Sequence, residues 1–191
     1  MQFLMDNIVA SIVGATVLLM MVATHHRNQV ASAEATSFYM LQQQVLDFTS
    51  SLQRDMQNVS SVNDLTEKTD STFSFMAQVS PTDTTKRLVT YRRKKVESRY
   101  RKDVGTRDYY QIERLVAGVV TGGSIGTITA WDVRVLNEEG NPAGAVGDAR
   151  QVRISLEAAS PVDVNVRDGV TVRDTRWQST FRPRMLRDSA L

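Results

Sequence analysis

A chain of 191 residues without a single cysteine has no disulfide, no thiolate nucleophile and no cysteine-bound metal. Lys and Arg total 23 against 21 Asp and Glu, so the net charge of +2 rests on a small excess, not on the broadly basic surface that clamps nucleic acid.

Residues 8–23 read IVASIVGATVLLMMVA, and the uncharged stretch 7–24 is about 27 Å long as a helix, just enough to cross a bilayer core. The helical pattern continues without Pro, and without Gly after Gly14, to about Asn58. In its second half Phe38, Leu41, Val45, Phe48, Leu52, Met56 and Val59 recur at spacings of three and four, one apolar stripe along a helix. Gln42, Gln43, Asp47, Ser51, Arg54 and Asp55 take the other sides. The sequence thus divides into an apolar half over 1–27, an amphipathic half over 28–60 and a head over 61–191. Two other readings of the apolar run stand beside this one. Ala31, Ser32 and Ala33 form an A-x-A cleavage pattern, although MQFLMDN lacks the basic start of a signal peptide, and a buried core helix would also be apolar. The side chains offered for helix packing and assembly are Ile8, Ile12, Gly14, Leu18, Leu19 and Val22, with Asp6 just before the run. Glycine costs about 1 kcal/mol in a helix and is often kept where backbones meet closely.

Beyond the polar stretch 60–70, which ends the helix, the pattern switches to alternation. Residues 72–79 pair through a turn at 80–85 with RLVTYRRKKVESRY as a hairpin, and 108–116 and 127–136 follow as strands. The cleanest alternation puts Val152, Ile154, Leu156 and Ala158 on one face, and 162–181 supplies one or two closing strands. A sheet with one apolar face and a helix with one apolar stripe cover each other, which gives an α+β head on a protruding helical handle.

No catalytic constellation is present, so neither enzyme activity nor a cofactor nor a small-molecule substrate is expected. The adjacent His25 and His26 diverge by about 100° on a helix and read as polar aromatics at a membrane boundary. TGGSIGT (121–127) lacks the lysine of a phosphate loop and reads as a hairpin loop. The segment 86–102 is dense in cations, and Arg92, Arg93, Lys94, Lys95, Arg99, Arg101 and Lys102 are candidates for an anion or subunit contact. The plainer alternative is a sheet edge guarded by charge, and DNA binding is the weakest of the three. Asn58-Val59-Ser60 is a formal glycosylation sequon.

The order of these parts resembles the type IV pilin superfamily, which includes pilus subunits and the pseudopilins of type II secretion, and most of all its larger minor subunits of the J type. The likeness is carried by the apolar helix, by LQRDMQNV (52–59), by the succession RLVTYR, IERLV, ITAWDVRVLNEEG and ARQVRISLEA, and by the ending TFRPRML. It implies a pilin-like ladle that is stored in the inner membrane and then polymerised through its handle with itself or related subunits, as an extracellular or periplasmic filament. It also implies that an acid at the fifth mature position neutralises a neighbour's amino terminus; Asp6 would hold that place if Gln2 were the first mature residue. The family's basic leader ending in Gly has no counterpart before the apolar run. From another class, a single-pass tether carrying a β-rich binding domain would have the same layout without polymerising.

Overall fold

The computed structural model describes residues 2–59, 64–79, 85–101, 105–124, 126–144, 148–159 and 174–182. One helix, α1 (Gln2–Gln57), takes up 56 residues, about 84 Å of rod at about 1.5 Å per residue. Nothing in its interior breaks it. Ser11, Thr16, Thr24, Thr36 and Thr49 each turn a hydroxyl back onto the carbonyl four residues earlier, which satisfies those polar groups without leaving the helix. The rod ends where Asn58 and Val59 donate to the carbonyls of Asp55 and Met56, and Asn58 Nδ2 ties the end to the Gln78 carbonyl at 3.0 Å.

The head is a wholly antiparallel sheet of β1 (Leu65–Lys68), β2 (Thr72–Gln78), β3 (Lys86–Arg101), β4 (Gly105–Val116), β5 (Val119–Gly123), β6 (Ile128–Leu136), β7 (Gln151–Ala159) and β8 (Asp174–Phe181). Their order is β1-β2-β3-β4-β6-β7-β8, with β5 added to β4. The expected α+β arrangement is therefore the one observed, a long helix whose second half packs on an antiparallel sheet. Two strands were not legible as such. β1 lies inside the stretch read as polar, and β5 takes Thr121, Gly122 and Gly123 out of the expected loop and pairs them, or their neighbours, with β4. Gly123 is needed there: its φ is +154°, and a Cβ would fall 2.3 Å from the Ile112 carbonyl oxygen. Residues 80–84 of the expected turn at 80–85, and the segment 160–173, lie outside the described residues.

The stripe of the helix and the inner face of the sheet form one core. Leu41, Val45, Phe48, Leu52, Met56 and Val59 are buried against Phe73, Phe75, Val89, Tyr91, Ile112, Trp131, Val133 and the alternating apolar face of β7. Between β4 and β6 the pairing is a single position, Tyr110 with Ile128. The helix spans this seam, because the Phe48 ring meets Tyr91 on one side at 6.0 Å and Trp131 on the other at 6.1 Å, both edge-on.

Candidate assembly surface

The handle is bare. Ile8, Ile12, Leu18, Leu19 and Val22 are exposed, as are Phe3, Met5, Val9, Val13, Val17, Met20 and Met21. Gly14 has open space where a side chain would be. Asp6 is exposed, and no partner for it appears among the described residues. Such a helix is long and apolar enough to cross a membrane, with none of its apolar window buried in the molecule, a character that also fits a signal sequence. A continuous apolar surface of this size in water requires lipid or protein to cover it.

The sheet grips only the lower part of the rod. Phe38 is half-buried and Leu41 is the first fully buried residue of the stripe, followed by Val45, Phe48, Leu52 and Met56 as expected. Residues 28–37, nominally part of the amphipathic half, are exposed apart from the half-buried Val30, Glu34 and Ser37. The protruding length is therefore greater than the hydropathy boundary at residue 27 suggests.

Asp55 is a correction to the sequence reading. It does not lie on a polar side of the helix but is 3% exposed, beneath the rod. Arg114 of β4 donates to it twice, Nε to Oδ2 at 2.6 Å and Nη2 to Oδ1 at 3.0 Å, and the Tyr91 hydroxyl donates to Oδ2 at 2.6 Å. Tyr91 and Arg114 are directly opposite each other in the β3–β4 register, so the sheet itself brings the two donors together. Burial, then the Asp55 carboxylate, pushes the Tyr91 phenol far above its ordinary value and holds it protonated as a donor, while the hydrogen bonds to Asp55 raise Arg114. A carboxylate in a dry interface costs heavily unless paired, and this one is paired in the bidentate geometry that makes such pairing effective. The available signal was position: residue 55 lies between Leu52 and Met56 at stripe spacing, with Arg114 and Tyr91 on strands that face the helix.

Several cations of the basic hairpin are paired within it, and a positive excess remains. Arg92 and Lys94 reach the two oxygens of Glu113 at 2.6 and 3.2 Å, and Lys95 reaches Asp108 at 2.8 Å. Arg99 pairs with Glu97 and lies over the Tyr109 ring, and Arg93 sits 4.7 Å from the Tyr110 ring centre. Hydrogen bonds from Arg92 and then Lys94 hold the Glu113 carboxyl below its ordinary range, and those from Lys95 and Ser98 do the same for Asp108. Beyond Arg92 the outer edge of β3 has left β2 behind, and Lys and Arg along such an edge discourage unwanted pairing. Lys102 and the side chain of Arg101 lie outside the described residues.

A cleft of about 330 Å³ opens between α1 and β5, lined by Asp47, Ser51, Arg54, Arg114, Thr121 and Ser124 among others. No group of three His, Asp or Glu that could hold a metal occurs among the described residues. No protein-family model, curated protein or solved structure matches the chain.

Proposed function

We propose that this chain is a structural subunit of a filament of the type IV pilus or type II secretion pseudopilus kind, held in a membrane by its handle and polymerised through it. The single observation that carries this reading is the continuity of α1: one unbroken helix is buried in the head at its lower end and bare and apolar over its upper half. The family resemblance of the chain's layout supports the same reading. In a bilayer the apolar half satisfies lipid; in a polymer the same surface packs against other handles, and close packing of side chains drives the association. Partners are then further copies or related subunits, with the head on the outside. Electron microscopy of native material tests this, because fibres decorated by an antibody to the head are expected. Single heads spread over membrane with no fibres would replace the polymer by a tethered binding domain.

A further inference from the structure

β3 is 16 residues long, but β2 covers only the first part of it. The β2–β3 register ends with Thr72 opposite Arg92, and a last backbone bond runs from the Arg93 N–H to the Ser71 carbonyl at 2.7 Å. From Lys94 onward β3 pairs with β4 on its other side, and among the described residues no strand pairs with it on this one. The segment is open to water. The side chains of Lys94 and Lys95 are 63% and 51% exposed, and Val96 and Tyr100 are 51% and 74% exposed. A strand whose backbone is unpaired on one side can accept another extended chain as its neighbour.

The side chains decide which chain that can be. Residues directly opposite in the β3–β4 register share a face, so Arg93 and Lys95 lie with Ile112 and Tyr110, whereas Lys94 lies with Gln111 on the reverse. Val96 is the extra residue of a bulge between Lys95 and Glu97, and after it Arg99 joins the face of Lys94. A strand laid along this edge therefore meets cations on both of its faces. Their charge is not used up within the hairpin. Arg92 and Lys94 share the one carboxylate of Glu113, and among the described residues the Arg93 guanidinium has only the Tyr110 ring. Residues 86–116 hold 11 Lys and Arg against 4 Asp and Glu, a net +7 in a chain that totals +2. Opposite charges across paired strands favour pairing and like charges oppose it, so this row turns away basic strands, the same edge of another copy included, and admits an acidic one. We propose that residues 94–100 of β3 are a docking edge for an extended acidic segment of a partner protein, which joins the sheet as an added strand. The β3 backbone supplies the hydrogen bonds, and Arg93, Lys94, Lys95 and Arg99 select Asp and Glu on the two faces of the incoming strand. No handle residue takes part, so the site does not depend on polymerisation.

Full-length protein in a neutral detergent and the fluorescent octapeptide EEVEEVEE, which carries acids on both faces of a strand, provide the test. At about 50 mM salt, where screening is weak, fluorescence anisotropy should show saturable binding. Methylating the backbone nitrogens of the peptide keeps every charge but removes its hydrogen-bond donors, and should weaken binding by about tenfold or more. The analogue with Lys in place of Glu should not bind. Amide hydrogens of residues 94–100 should exchange more slowly with the peptide present, a readout that needs no variant. Lys94→Gln with Lys95→Gln should weaken binding by about tenfold, with the fold checked by circular dichroism. Undiminished binding of the methylated peptide, or unchanged exchange at 94–100, would overturn strand addition. Preference for phosphatidylglycerol vesicles or duplex DNA over the peptide, lost in the same double variant, would make the row a general phosphate-binding surface and overturn the proposal as well.

Discussion

Asp55 shows how a charged residue can serve the interior. With its carboxylate 4% exposed and Arg114 12% exposed, the pair is shielded from water, so its attraction is little screened and its desolvation is the main cost. Arg114→Met should leave an uncompensated carboxylate and lower unfolding stability by about 3–5 kcal/mol, read from urea denaturation. Tyr91→Phe keeps the bidentate pair and should cost less, about 1–2 kcal/mol. Glu113 works differently: its own side chain is 10% exposed, but those of its partners Arg92 and Lys94 are 49% and 63% exposed. Its carboxyl is held below the ordinary 4.5 by Arg92 and Lys94, so its contribution is present above that value and lost as pH falls through the lower folded value. The urea midpoint should therefore drop as pH falls from the ordinary 4.5 towards the lower folded value, and Glu113→Gln should lower stability at neutral pH and flatten that slope.

Among elements, the helix stripe and β7 were legible because their periods, three to four and two, do not depend on the rest of the chain. β1 and β5 were not. LTEK has no apolar alternation, and the two glycines of VVTGG mimic a loop; both are strands only because β2 and β4 offer them a partner edge. Strand order was equally hidden, since the placement of β6 beside β4 rests on one paired position. The bare handle residues of the candidate surface were readable from hydropathy, whereas the buried role of Asp55 required knowing which strand residues face it. Across that narrow pairing between β4 and β6 the two halves of the sheet are also joined by side chains: Phe48 against Tyr91 and Trp131, the Tyr91–Trp131 stack, and Arg107 reaching Thr129 and Asp174. Phe48→Ala should cost about 3–5 kcal/mol and raise amide exchange in β6 and β7 more than in β2.

For the molecule as a whole, the core and the protrusion are separable in principle. Among the described residues every buried core residue on the helix lies at or after Leu41, so removal of residues 1–28 takes away none of these core side chains. The shortened protein should retain the thermal midpoint of the head within a few degrees, sediment as a monomer and fail to enter fibres or membranes. A large fall in thermal midpoint would mean that the upper rod supports the head.

An uninterrupted rod also decides how tension enters the molecule. A pull on the tip at Gln2 travels down a backbone with no proline or loop to absorb it and reaches the head along the axis of α1. The buried stripe would then have to slide past the sheet as a unit instead of peeling away one side chain at a time, with the Asp55–Arg114 clasp tying helix to sheet. Load applied along the rod would therefore be shared by the whole buried stripe at once.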